Sequence, residues 1–314
     1  MREDQEVRLG LVGCGRLAAR GYLPAFRRAL GVRLAAVADL DRTRCTAVAP
    51  DVPAYDCARA LVAAGGIEGV VIATPTRAHT SDARVVAEAG LPALVEKPPG
   101  LDAVEAASLA SLRPAPRVGF NRRFEPDLAR LREDFVTRTG LDLVLRMHSR
   151  RRAWGPHDMR DDALLDLAPH LVDLARWLTR SDALRVRACT LTRQRADFEI
   201  EFISCGATIG CASHRVFAER VEARDARRRV VARYRRGGLP RAILDRLHAP
   251  AEPPLVTTLA RQLEAFGRAV RGADGAPLAT ATDGLAVMRV VDAVRRSAAA
   301  GGIWCAVEGH GSDR

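Results

Sequence analysis

The sequence predicts an α/β chain in two parts. A parallel sheet with helices on both faces comes first, and an α+β part with an open, mostly antiparallel sheet follows. Three observations carry this expectation. Up to Phe120, short apolar runs alternate with segments of helical period, the rhythm of βαβ units. Beyond Phe120 that alternation stops, and Leu184 to Tyr234 reads as short β-branched strands with little helix. The chain has 314 residues and is 48% hydrophobic, about twice the usual single-domain length, so two cores are expected. The division falls at Asn121, giving residues 1–121 and 122–314.

The elements follow in order. Val7 to Val12 is an apolar run closed by Gly13. Leu17 to Leu30 reads as a helix that Pro24 breaks. Val32 to Ala38 is a strand ending at Asp39. Ala58 to Ala64 is a short helix, and Gly69 to Ala73 is a buried strand closed by Thr74-Pro75. Thr80 to Ala89 is helical and stops at Gly90. Ala93 to Val95 is a strand ahead of Glu96-Lys97-Pro98-Pro99. Asp102 is placed to cap a helix reaching Leu112. Arg117 to Phe120 is the last strand of the first part. Pro126 to Phe135 reads as helix, Leu141 to Ser149 as strand, and Asp161 to Leu178 as a long helix. After the proline-rich Pro250 to Pro254 come two helices, about Val256–Arg271 and Thr282–Ala300, and a closing strand, Ile303 to Val307.

Composition excludes several classes. The net charge of +11 raises nucleic acid as a partner. The arginines are spread, however, and the runs Arg150 to Arg152 and Arg227 to Arg229 have no interleaved aromatics on which bases could stack. A solvated basic face, or attraction for an anionic small substrate, fits better. No apolar run reaches the roughly 18–20 residues that span a bilayer. The acidic Met1 to Glu6 does not resemble a signal peptide, so a cytoplasmic protein with no membrane partner is expected. The seven cysteines are odd in number and scattered, which predicts reduced thiols and no metal site.

Gly13-Cys14-Gly15-Arg16-Leu17-Ala18 fits G-x-G-x-x-A directly after a strand. The first glycine permits the turn and the second admits a pyrophosphate. Ala18 lets the helix pack closely, and the helix N-terminus faces the phosphates. Asp39 ends the next strand, where an acid would hold the adenosine ribose hydroxyls. A glycine turn with no ligand would leave Asp39 unexplained. The carboxylate favours NAD over NADP, with Arg42 and Arg44 close enough to offset part of that preference.

Thr74 and Pro75 at one strand end, His79 a few residues on, and Glu96 and Lys97 after the next strand end all fall on the edge where an α/β sheet binds ligands. Lys97 is the one lysine among 49 lysines and arginines. A site needing a compact, tunable cation resists replacement by arginine. Farther on, Asp166, His170, Asp173 and Trp177 recur at i, i+4, i+7 and i+11. A carboxylate one turn before a histidine can orient a general base. Pro169 interrupts this stripe, and a helix beginning there would leave Asp166 outside it. Asn121, Arg122 and Arg123 lie at the domain junction, and Trp154, His157 and Arg160 in the loop before the helix; Arg123 and Trp154 are substrate-binding candidates.

These stretches resemble the glucose–fructose oxidoreductase / inositol dehydrogenase family: Gly10–Ala18, Val37–Asp41, Ala73–His79, Val95–Pro98 and Val118–Phe124, with Leu164–Leu178 and Thr282–Ala293 in the second half. The resemblance implies a Rossmann domain followed by an open-sheet domain that often serves dimer contacts. It implies a catalytic set of Lys97, Asp166 and His170, the same three also facing substrate. The cofactor residues it implies are Gly13, Gly15, Arg16, Leu17, Ala18, Asp39, Thr74, Pro75, His79, Glu96 and Lys97. The expected activity is NAD(P)-dependent interconversion of a secondary alcohol and a ketone on a sugar-, amino-sugar- or cyclitol-like substrate, by a homodimer or homotetramer. Two alternatives stand beside it: an epimerase or eliminase using transient oxidation, and a nucleotide-sensing protein without turnover.

Overall fold

The computed structural model describes residues 6–138, 140–150, 162–237 and 254–309. Packing divides the chain into two units, Met1–Phe124 with Ala251–Leu285, and Glu125–Pro250 with Ala286–Arg314. Two continuous blocks, 1–121 and 122–314, do not describe this packing, because residues 251–285 return to the first unit.

In the first unit, β1 (Val7–Val12) leads into a π-helical turn, Ala18–Tyr22, and α1 (Leu23–Phe26). Pro24 does not end this helical run as its sequence suggests. Proline has no N–H to return to Arg20, and the turn ahead of it widens, so that Leu23 N–H bonds Ala18 O five residues back. β2 (Val32–Ala38), α2 (Arg42–Val48), β3 (Ala54–Tyr55), α3 (Ala58–Ala64), β4 (Gly69–Ile72) and α4 (Thr76–Glu88) follow. Next are β5 (Ala93–Val95), α5 (Ala103–Ala110), β6 (Arg117–Val118) and a 3-10 turn, Asn121–Phe124. Asp102 caps α5 as expected, accepting from Glu105 N at 2.9 Å.

The second unit opens with α6 (Pro126–Thr137) and β7 (Asp142–Arg150). The long helix expected over 161–178 is two helices, α7 (Asp162–Asp166) and α8 (Ala168–Thr179). Pro169 takes a first-turn position of α8, where a missing N–H leaves no bond unmade. Then come β8 (Ala183–Thr192), β9 (Arg195–Phe202), β10 (Gly206–Ala212), β11 (His214–Arg224) and β12 (Val230–Gly237). α9 (Pro254–Val270) and β13 (Ala279–Thr280) belong to the first unit. α10 (Ala281–Ala299) and β14 (Cys305–Ala306) complete the described chain.

The first sheet runs β13-β6-β5-β4-β1-β2-β3, parallel except where β13 meets β6. Its strands β4 and β5 are buried on both faces, as helix-covered parallel strands must be. Leu9, Leu11 and Val37 pack with Val256, Leu259, Leu263 and Phe266 of α9 in one core cluster. The second sheet runs β12-β11-β7-β10-β9-β8-β14 and is antiparallel except for β7 with β10. Cross-strand ion pairs cover its outward side: Arg185 opposes Glu201, and Arg187 opposes Glu199. Both guanidiniums also lie over Trp304, at 5.0 and 5.2 Å from the ring centre. Some of the many arginines are thus paired with acids within the sheet. Among the described residues, no helix is long and apolar enough to cross a membrane.

Candidate active site

The glycine turn after β1 is shaped by its neighbours. Gly13 has φ +97°, and a Cβ there would lie 2.6 Å from the Ala73 carbonyl carbon and 2.7 Å from Thr74 N, so both conformation and crowding demand glycine. Gly15 differs: a Cβ there would meet nothing within 4 Å. The space before it is open, as a backbone meant to approach a pyrophosphate requires. The helical run of residues 16–26 starts here, with Ala19 N–H bonding Gly15 O. Arg16 is exposed at its start and Leu17 half-buried, while Ala18 is buried in the core and serves packing.

Asp39 is tied to this turn. Its Oδ2 accepts from Cys14 N at 2.8 Å and its Oδ1 from Asp41 N at 2.9 Å. Each oxygen retains a lone pair for a hydroxyl donor. The two arginines behind it are engaged elsewhere: Arg42 pairs with Asp56 and Arg44 with Asp41. The glycine cradle, the helix start and the anchored acid together fit a dinucleotide.

At the end of β5, Glu96 is buried rather than turned toward a ligand. Its Oε1 accepts from Tyr22 OH at 2.6 Å, and its Oε2 from Lys97 N at 3.0 Å. Burial pushes the Glu96 carboxyl up, with Tyr22, Lys97 and the backbone opposing. The expectation of cofactor contact at Glu96 therefore becomes one of support: it fixes the backbone of Lys97, whose own side chain is half-buried. Nothing in the sequence linked Tyr22 to this turn, 74 residues away.

His79 is a second correction. It is 1% exposed, and its ring nitrogens lie 2.9 Å from the carbonyl oxygens of Pro98 and Thr74. One nitrogen of the neutral ring donates to a carbonyl and the other faces the second, so both edges of the buried ring face the protein. It ties the end of β4 to the Lys97–Pro98 turn, and burial pushes its pKa down. Thr74 donates its hydroxyl to Asp82 at 2.8 Å, and Pro75 occupies the N-cap position of α4.

Arg123, expected at the substrate, is 7% exposed and pairs with Asp283 at 3.4 Å, bracing the 3-10 turn to the start of α10. Asn121 donates to Thr258 of α9 at 3.3 Å. Trp154, with His157 and Arg160, lies outside the described residues.

In the second unit, Asp166 ends α7 and is buried, and His170 lies in the first turn of α8, half-buried. The single-helix stripe is therefore not realised: the two residues sit on consecutive helices joined at Leu167. Burial first, then the charges of Asp197 and Asp166, push the thiol of Cys211 on β10 up. Trp177 carries Arg132 over its ring at 4.9 Å.

Comparison with known proteins agrees with this geometry. Residues 7–114 match the profile of an oxidoreductase family with an NAD-binding Rossmann fold. The rhizopine catabolism protein MocA of Rhizobium meliloti is 31% identical over 311 residues, spanning 91% of this chain and 93% of that one. An inositol 2-dehydrogenase of Corynebacterium glutamicum is 30% identical over 192 residues, a match that covers 58% of this chain and 57% of the relative. Among solved structures, a putative myo-inositol dehydrogenase from Sinorhizobium meliloti superposes with TM-score 0.77 at 22% identity, over 96% of this chain and 99% of that one. The Lactobacillus casei myo-inositol dehydrogenase in complex with NAD(H) and myo-inositol also reaches TM-score 0.77, at 14% identity over 98% of each chain. With so similar a relative along nearly its whole length, and the family profile lying over the glycine turn and Asp39, the chain belongs to the Gfo/Idh/MocA family of oxidoreductases.

Proposed function

We propose that this oxidoreductase is an NAD-dependent dehydrogenase that interconverts a secondary alcohol and a ketone on a cyclitol or a related sugar or amino sugar. The observation that carries the reading is the Lys97 turn. A lone lysine, its backbone fixed by buried Glu96, follows β5 on the same sheet edge as the glycine turn and Asp39. The rhizopine and inositol proteins among its relatives support the cyclitol class.

Gly13, Gly15, Arg16 and Asp39 would hold the dinucleotide, which supplies the hydride acceptor or donor when bound. NAD over NADP follows from Asp39, whose carboxylate would accept from a 2′-hydroxyl and repel a 2′-phosphate. In the oxidative direction Lys97 would stabilise the alkoxide that develops as the C–H bond weakens. His170 would take the hydroxyl proton as general base, with Asp166 steadying its charged form. The parts given to His170 and Asp166 rest on the family resemblance.

The test is a panel of cyclitols, sugars and amino sugars incubated with the protein and NAD or NADP, read at the absorbance of the reduced nicotinamide. Reduction of NAD by a cyclitol is expected. Substrate consumption without any reduced nucleotide would replace this reading with transient oxidation. Tight nucleotide binding without turnover of any compound would replace it with a nucleotide sensor.

A further inference from the structure

Two buried thiols meet beneath the glycine turn. Cys14, between Gly13 and Gly15, is 3% exposed, and Cys45 of α2 is fully buried. The Cys45 thiol donates to Cys14 Sγ at 3.6 Å, and the Cys14 thiol donates to Ala38 O at 3.8 Å. On its other side, the same residue donates its N–H to Asp39. Residue 14 therefore couples the thiol pair to the carboxylate placed for the ribose. None of the hydride chemistry above uses either sulfur.

We propose that Cys14 and Cys45 are a modification site, closed to an intramolecular disulfide by a hydroperoxide in the nucleotide-free protein, and that the closed bond weakens dinucleotide binding. The second half rests on the dinucleotide reading of this turn. A disulfide has an S–S length of about 2.05 Å, so from 3.6 Å the sulfurs must approach by roughly 1.5 Å. One sulfur, as thiolate, attacks a peroxide oxygen; the O–O bond breaks and water leaves, giving a sulfenic acid. The second thiol attacks that sulfur, the S–O bond breaks, and a second water leaves. The two thiols lose two electrons and two protons, and hydrogen peroxide becomes two waters.

The surroundings set the rate. Burial first, then Cys45 and Asp39, push the Cys14 thiol well above its usual range, which disfavours the reactive thiolate. Closure therefore proceeds through local opening of the turn. A nucleotide seated on the turn slows it. Once formed, the bond draws residue 14 toward α2 and away from Asp39.

The experiment treats the purified protein with excess hydrogen peroxide, with and without NAD, then alkylates, digests and maps peptides by mass spectrometry. Cutting at arginine leaves Cys45 and Cys57 in one peptide, so fragmentation must assign the link. The expected product joins Cys14 to Cys45, is lighter by two hydrogens, and forms more slowly with NAD present. NAD affinity by calorimetry should fall by about tenfold, the scale of losing one hydrogen bond to a charged group, and return on treatment with a dithiol. Cys45→Ser should keep the affinity of the reduced protein and lose its sensitivity to peroxide. The absence of a Cys14–Cys45 peptide when exposed Cys57 and Cys189 are fully oxidised overturns the proposal. A linked protein with unchanged NAD affinity overturns its second half. Reduced protein that binds no dinucleotide would overturn the functional reading and that second half with it, while the linked peptide still decides the first.

Discussion

Lys97 is a point charge on a fixed backbone. Lys97→Met removes the cation and keeps the stem, so nucleotide binding should survive while hydride transfer in a single turnover slows by at least about 10²-fold. Lys97→Arg should also be impaired, because a planar fork does not replace a compact ammonium. A wild-type rate in the arginine variant would remove Lys97 from the chemistry. Asp39 carries the cofactor preference. Calorimetry should find NAD bound several-fold more tightly than NADP, and Asp39→Ser should lose most of that preference. His79 predicts a pH effect. Burial holds its pKa below the ordinary 6.5 in the folded state, so on acidification the unfolded chain takes up the proton first. Its contribution to stability is intact above about pH 6.5 and is lost as pH falls below it. Urea midpoints between pH 7 and pH 5 should decline less in His79→Gln than in the parent. The residues themselves were legible in the sequence, since Asp39 and Lys97 follow strand ends on the ligand edge. What stayed hidden was direction. A motif says that Glu96 and His79 stand beside the cofactor edge, but not that one turns back onto Tyr22 and the other onto two carbonyls.

Elements were legible wherever a local rule ended them. Asp102 before an apolar run marks a cap, and the cap forms. Asp102→Ala should destabilise the fold by about 1 kcal/mol in urea unfolding, as loss of such a cap usually does. A change under 0.3 kcal/mol, roughly the precision of such data, would mean that Leu101 N bonded to Glu105 suffices to hold the helix start. Two helices were less legible because proline carries two meanings. Pro24 suggested a break, and the run continues through a widened turn. Pro169 interrupts a periodic stripe and offers a helix start that would leave Asp166 outside, and there the chain does divide, into α7 and α8. Periodicity counts residues and cannot tell one helix from two in register. The i, i+4 relation of Asp166 to His170 was therefore a feature of the numbering, not of a helix face.

For the whole molecule, the two-sheet architecture and its order were legible, but the destination of residues 251–285 was not, since helical period shows an apolar face without naming what it packs on. The open second sheet was expected to serve a homodimer or homotetramer through Leu184 to Tyr234. Its outward ion pairs refine that expectation: a contact made there would be polar and screened by salt. Light scattering at micromolar protein should find a dimer or tetramer at low salt and weaker association at high salt; a monomer at both would refute it. The returning helix α9 bears on how the molecule is made. Phe266 and Leu263 share a core with Val7 and Leu9, so the nucleotide-binding unit lacks a wall until more than four-fifths of the chain has left the ribosome. Its first strands wait through the synthesis of an entire second unit, with apolar surface uncovered. Closing so long a loop is entropically slow. The inserted unit, most of it emerging earlier, is positioned to fold first and shorten that loop. Ribosome profiling should find chaperone-bound nascent chains abundant while the emerged part ends between residues 124 and 254, and few once residue 285 has emerged.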